Sequence, residues 1–194
     1  MATRQGKKRH EKLAVYPGTF DPIHNGHLEI IRRALGTFDR MIVAVGVNPE
    51  KEIIFTLEER LDMIRKAVEG DSRIECDSFD GLLVRYAERK KAQAIVRGLR
   101  AVSDFEYEFQ LALMNRKLSR NIETFFLMTA HRYLYVSSRI IKATVLAGGS
   151  PEGLVPENVL KVFVDVIERL NIFGVKFIQL IHIIEHGIQL NLQL

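Results

Sequence analysis

From Leu13 onward, short apolar or β-branched runs alternate with longer stretches in which apolar residues return every three or four positions. The first run, Leu13 to Tyr16, is continuous and stops at Pro17-Gly18, the pattern of a buried strand that ends in a turn. Behind it, Leu28, Ile31, Ala34 and Leu35 recur at helical spacing, with Asn25 as the expected cap and His27 in the first turn. A second strand is predicted over Met41 to Val47, ending at Asn48-Pro49. The next helix starts at Thr56, with Glu59 three residues on as a capping box, and aligns Leu57, Leu61, Ile64 and Val68 on one face. A third strand over Arg73 to Cys76 leads through Phe79-Asp80-Gly81 to a helix from Leu82. A fourth, Ala94 to Val96, runs into Arg97-Gly98-Leu99-Arg100, and a fifth spans Thr124 to Met128.

Helices between strands imply crossover connections. The expected fold is therefore α/β: a Rossmann-like, doubly wound, parallel five-stranded sheet with helices on both faces and right-handed connections. Ligands of such sheets bind beyond the carboxyl ends of the strands. On that rim the pattern gathers Gly18, Thr19 and His27 from the first strand, Lys51 from the second, Gly81, Leu82 and Leu83 from the third, and Arg97, Gly98 and Arg100 from the fourth. Gly18 lets a backbone approach a ligand, and the helix start behind it favours an anion. The two arginines offer forked donors that match phosphate oxygens. His24 and His27, three apart, also fit half of a metal site, but no acidic or cysteine partner lies near them in sequence.

Two further helices complete the domain. Over Ser103 to Leu118, Phe105, Phe109, Ala112 and Leu113 fall on one face and Tyr107, Leu111, Met114 and Leu118 on the adjoining one. So wide an apolar surface points to burial on two sides, in the core and against another subunit. Ser137 is placed to cap a helix from Arg139 to Leu146 that Gly148-Gly149 stops. From Gly174, polar residues Lys176, Gln179, His182, Glu185, His186 and Gln189 recur among Ile, Leu and Phe, the pattern of an amphipathic helix. After Gly187 it becomes alternation, as in a strand. This stretch is too polar for a membrane span, and the expectation is that it packs on the body or on a neighbouring subunit, with membrane-surface binding as the alternative.

The chain of 194 residues, 47% hydrophobic and 27% charged, suits one well-packed domain. Its formal net charge of +4 resides in residues 1 to 12, where Arg4, Lys7, Lys8, Arg9 and Lys12 face only Glu11. The remainder is neutral, so the pI of about 9.2 describes a basic arm, expected to be disordered, and not a basic folded surface. That argues against nucleic-acid binding by the globule. The arm lacks the apolar core of a secretory signal, and a single cysteine, Cys76, forms no internal disulfide; a cytoplasmic protein is expected. The organisation read from the sequence is an arm (1–12), a domain (13–173) and an extension (174–194).

The string YPGTFDPIHNGH, Tyr16 to His27, resembles the (T/H)xGH motif of nucleotidyltransferases. With FTLEER, RGLR followed by DFEYE, LALMNR, YLYVSSR and PENV at near-constant spacing, it is closest to the bacterial phosphopantetheine adenylyltransferase family, over about Leu13 to Phe173. The resemblance implies reversible transfer of AMP from ATP to 4′-phosphopantetheine, giving dephospho-CoA and pyrophosphate. By the same resemblance His27 stabilises the transition state and Thr19 positions the attacking phosphate. Lys51, Arg97 and Leu83 hold phosphopantetheine. Phe20, Gly98, Leu99, Arg100, Glu108, Tyr133, Leu134, Tyr135, Val136, Ser137, Ser138 and Arg139 join Thr19 and His27 around ATP. Mg²⁺ rides on the phosphates without a dedicated protein metal site, and the chain builds a homohexamer. Arg139 stands where many members have Ser or Thr, and Thr129-Ala130 where Pro-Ser is common. The alternatives are another (T/H)xGH transferase, acting on nicotinate mononucleotide or glycerol phosphate, and a nucleotide-binding module without turnover.

Overall fold

The computed structural model describes residues 11–47 and 53–172. In chain order these form β1 (Leu13–Gly18), α1 (Asn25–Ala34), β2 (Arg40–Gly46), α2 (Leu57–Ala67), β3 (Ile74–Phe79) and α3 (Leu83–Arg89). There follow β4 (Ala94–Leu99), α4 (Val102–Leu118), β5 (Glu123–Met128), a 3₁₀ turn (His131–Tyr133), α5 (Ser138–Leu146) and α6 (Glu157–Ile172). The five strands make one parallel sheet in the order β3-β2-β1-β4-β5, the doubly wound arrangement expected. Most of the arm, Lys51 and the extension lie outside the described residues.

Alternation along the strands divides the core between the two faces. Ala14, Tyr16, Met41, Val43, Val45, Ala94 and Val96 face a cluster with Ile30, Ile31, Ile64, Ile141, Val145 and Phe163, from α1, α2, α5 and α6. Val15, Ile42, Ala44 and Ile95 face a second cluster closed by Val84, Tyr86 and Ala87 of α3. Both faces are covered, so central strands read as continuous apolar runs.

The direction in which successive strands are added to the sheet reverses between β1 and β4. β1 pairs with β2 from Leu13↔Arg40 to Gly18↔Val45, but with β4 only at Ala14↔Ala94 and Val15↔Ile95. Pro17 explains the early stop: proline has no N–H to give a ladder, and its carbonyl instead accepts from Arg97 Nη1 at 3.2 Å. The sheet is thus unpaired between β1 and β4 at their carboxyl ends, where a doubly wound sheet binds ligands.

Several boundaries differ from the sequence reading. The α1 cap is His24, and Asn25 is the first helical residue. Asn25 Nδ2 instead donates to Gly153 O at 2.9 Å, tying the helix start to the loop before α6. β3 runs on to Phe79, and β4 takes in Arg97, Gly98 and Leu99, which the sequence had assigned to a loop. The capping box on α2 is as expected, with Glu59 N to Thr56 Oγ1 at 3.3 Å and Thr56 N to Glu59 Oε2 at 2.8 Å. Ser137 caps α5, accepting from Ile140 N at 3.2 Å. On α4, by contrast, Phe105, Tyr107, Phe109, Leu111, Leu113 and Met114 are all exposed in the single chain, as are Phe125 and Met128 of the edge strand β5. The apolar breadth of α4 is therefore not core of its own chain.

Candidate active site

The loop from Gly18 to His24 is held from every side. Thr19 O accepts from Arg60 Nη1 at 2.9 Å, and Arg60, although charged, is buried on the inner face of α2. Burial lowers its pKa from the ordinary value, with the Asp21 carboxylate opposing. Phe20 takes a left-handed φ of 48°, uncommon for a residue with a Cβ, and turns its ring back under Gly18. A Cβ on Gly18 would stand 2.7 Å from that ring, so glycine is required there. Asp21, buried, accepts Phe55 N at 2.9 Å and Ile54 N at 3.1 Å, and pairs with Lys142 Nζ of α5. The Ser138 hydroxyl donates to Pro22 O at 2.8 Å.

His24 and His27 sit at the start of α1 with rings stacked, centroids 3.6 Å apart. His27 N donates to His24 Nδ1 at 3.3 Å, and His24 N donates to His27 Nδ1 at 3.2 Å. The edge of His27 meets Phe20, at 4.9 Å between centroids. Burial, helped by the Arg100 guanidinium, drives the His24 pKa down to about 3. His27 is also lowered well below the usual histidine range, first by burial and then by His24, Arg100 and Arg97. Both rings are therefore neutral near pH 7. Tyr16, buried beneath them, has its hydroxyl pKa raised by desolvation and keeps its proton.

Across the gap stand Arg97 of β4 and Arg100 just after it, each held by a carboxylate of α4. Arg97 Nε donates to Glu108 Oε2 at 2.7 Å, and Nη2 contacts the other oxygen of the same carboxylate. Arg100 Nε donates to Asp104 Oδ2 at 3.2 Å, and its Nη1 to Val136 O at 3.3 Å. That last bond ties β4 to the segment after β5. There Tyr133 packs over Gly26, Tyr135 and Leu134 are exposed, and Val136 is buried. The Ser137 and Ser138 hydroxyls are engaged by Ile140 N and Pro22 O. Arg139 is exposed, the Leu99 side chain is buried, and Leu83 is half-buried at the start of α3. Lys51 lies outside the described residues. Among the described residues, no group of three or more His, Cys, Asp or Glu side chains could hold a metal ion.

Thr19, Phe20, His27, Arg97, Glu108, Arg100 and the 133–139 segment thus gather around the carboxyl ends of β1 and β4. Sequence reasoning passed over Asp21, Arg60, Lys142 and Asp104. A signal existed for two of them: Arg60 lies three after Leu57, and Lys142 three before Val145, on faces otherwise apolar. A neutral, stacked histidine pair at a helix start, facing two arginines across an unpaired seam, suits a phosphate on which negative charge develops.

Comparison with known proteins agrees with this chemistry. The cytidylyltransferase-like family profile matches residues 15–144. Relatives named phosphopantetheine adenylyltransferase include one from Syntrophus aciditrophicus, 56% identical over 151 residues, spanning 78% of this chain and 92% of the relative. Another, from Nitratidesulfovibrio vulgaris, is 57% identical over 150 residues, 77% of this chain and 81% of the relative. A solved structure described as a candidate nicotinate-nucleotide adenylyltransferase from Vibrio parahaemolyticus superposes with a TM-score of 0.58, covering 79% of this chain and 99% of that one. At 15% identity it attests the fold alone. A relative more than half identical and matched over nine-tenths of its length decides the family as the fold by itself could not, and this chain belongs to the phosphopantetheine adenylyltransferases.

Proposed function

We propose that the chain transfers the adenylyl group of ATP to the terminal phosphate of 4′-phosphopantetheine, giving dephospho-CoA and pyrophosphate in coenzyme A biosynthesis. The observation that carries this reading is the His24–His27 pair facing Arg97 and Arg100 across the β1–β4 seam, in a chain whose relatives bear that enzyme's name.

In the reaction, an oxygen of the phosphopantetheine phosphate attacks the α-phosphorus of ATP in line. One P–O bond forms as the bond to pyrophosphate breaks. No side chain becomes covalently attached, so the protein's work is positioning two anions and stabilising the charge that grows on the α-phosphate. His27 donates a hydrogen bond to that phosphate, and Thr19 positions the attacking one. Arg97 and Lys51 bind the acceptor phosphate, with Leu83 along the pantetheine arm. Arg100, Gly98, Phe20 and the 133–139 segment bind ATP. The magnesium ion belongs to the substrate, Mg-ATP.

The exposed apolar residues of α4 and β5 support assembly of several copies, a hexamer by family likeness. Among the described residues no helix is long and apolar enough to cross a membrane. With that and the unpaired Cys76, we assign the protein to the cytoplasm.

The test is pyrophosphate release from Mg-ATP with 4′-phosphopantetheine, nicotinate mononucleotide or no acceptor. Release that requires phosphopantetheine is expected. Release with nicotinate mononucleotide alone would overturn the acceptor, and none with either would leave only nucleotide binding.

A further inference from the structure

His24 has no part in the steps above, yet it is more buried than His27 and touches it along a whole ring face. We propose that His24 is the positioning residue for His27: the two imidazoles cap α1 for each other, and this reciprocal pairing fixes His27 as the tautomer with its proton on Nε2.

A helix start normally takes Ser, Thr, Asp or Asn as its cap, with a Glu or Gln three residues on to close the box. Here both positions are histidine, and each Nδ1 accepts the other's backbone N–H, at 3.2 and 3.3 Å. An imidazole nitrogen that accepts an N–H carries no proton, so in both rings the proton lies on Nε2. Stacking at 3.6 Å, with 21° between the planes, holds the rings parallel. Phe20 at 4.9 Å and Tyr16 at 6.3 Å then fix the edges of His27. Gly26 leaves room for the stacked rings: a Cβ there would come within 3.0 Å of His24 Cε1 and 3.1 Å of its Nδ1, pressing that ring.

The surroundings keep the pair neutral. Arg97 of β4 and Arg100 just after it face the pair, partnered by Glu108 and Asp104 of α4; Tyr16 of β1 lies beneath, and Asp21 of the same loop is matched by Lys142 of α5. A proton added at either Nδ1 would turn that acceptor into a donor facing a backbone N–H and open the box. His27 is thereby presented as a hydrogen-bond donor of one fixed tautomer, which it remains while charge develops on the phosphate. Only the catalytic consequence rests on the function proposed above; the tautomer and the pairing do not.

The experiment uses the full chain labelled with ¹⁵N-histidine, its ring nitrogens followed by NMR from pH 5 to 8 and assigned with single substitutions. His24 and His27 are expected as neutral Nε2–H tautomers throughout. In H24T the threonine oxygen still caps the helix, but the second ring is gone, so His27 should titrate upward toward the ordinary value of about 6.5. In turnover assays the acid limb of the kcat profile of H24T should move up by about one pH unit, with the KM for ATP within about twofold, and H24A should lose more kcat at pH 8 than H24T does. A residue that merely stabilised the fold would leave the pH profile in place. An Nδ1–H tautomer at His27, titration of native His27 near 6.5, or superimposable native and H24T profiles would each overturn the proposal. Spectra as expected from a protein without transferase activity would instead sink the proposed function and leave the tautomer assignment standing.

Discussion

Arg97 and Glu108 close on each other across β4 and α4: the guanidinium gives Nε to one carboxylate oxygen at 2.7 Å and Nη2 to the other. Both side chains are mostly buried and the contact is fork to fork, so under the proposed function the acceptor phosphate would share or replace it. Arg97→Ala should therefore raise the KM for phosphopantetheine roughly tenfold or more, the worth of one hydrogen bond to a charged group. Glu108→Gln should lower that KM, because Arg97 no longer has a full carboxylate competing for it. Steady-state kinetics with each substrate varied separately checks both, and a rise in KM with Glu108→Gln would make Glu108 the orienter of Arg97 and not its competitor.

His27→Ala should reduce kcat by about a hundredfold while ATP affinity stays within a few fold. This is the signature of a contact made only as charge develops on the α-phosphate. Calorimetric titration of ATP alongside turnover separates the two quantities. Full activity would remove His27 from the reaction.

What was legible in the sequence follows from which forces act locally. The places of the strands and the helix faces are legible from periodicity, because each buried face of Met41 to Val45 or of Leu57 to Ile64 must be apolar whatever the partner; the strand order β3-β2-β1-β4-β5 is not. The Thr56–Glu59 box was readable because both its halves lie within one turn. The α1 cap is not legible because Ser, Thr, Asp and Asn are the usual caps, whereas here a histidine caps and a second histidine, His27, closes the box. β4 was cut short at Val96 because charge at Arg97 looks like a loop, whereas its partners Glu108 and Pro17 O come from distant parts of the chain. Asp21 and Lys142, 121 residues apart, are matched only by the fold.

That buried pair carries a stability prediction. Lys142→Met leaves the buried Asp21 without its ion-pair partner, with the Ile54 and Phe55 N–H groups it still accepts and the field of the Arg60 guanidinium. Loss of one partner of such a pair costs about 3–5 kcal/mol, and the two remaining donors put the expectation at about 3. Adding Asp21→Asn to Lys142→Met should recover part of the loss, since no uncompensated charge then remains. Urea denaturation at one fixed protein concentration measures this, and a change below about 1 kcal/mol would contradict it.

Acid should weaken the fold through the histidine pair. In the folded protein His24 binds a proton only near pH 3, against 6.5 for an ordinary histidine, so below about pH 6.5 the unfolded chain takes up protons that the folded one does not. Stability therefore falls with pH across that window, by up to about 1.4 kcal/mol per unit for His24. His27, shifted in the same direction, adds to the slope. Urea midpoints at pH 7, 6 and 5 should descend in order, less steeply for H24T; midpoints that rise on acidification would refute the buried neutral pair.

The last prediction concerns α4. Tyr107 and Leu113 are 64% and 53% exposed in the single chain, on the same helix as the exposed Phe105, Phe109, Leu111 and Met114. Isolated apolar residues on a surface need no partner, but a contiguous patch of this kind is what a subunit interface covers. Tyr107→Glu with Leu113→Glu should therefore leave the protomer folded, since neither side chain supports its core, and shift the protein to smaller species in sedimentation velocity. Activity should fall with assembly, because Asp104 and Glu108, which hold Arg100 and Arg97, are carried on the same helix, and its packing sets their position. An unchanged sedimentation coefficient would show that α4 is not a surface through which copies meet.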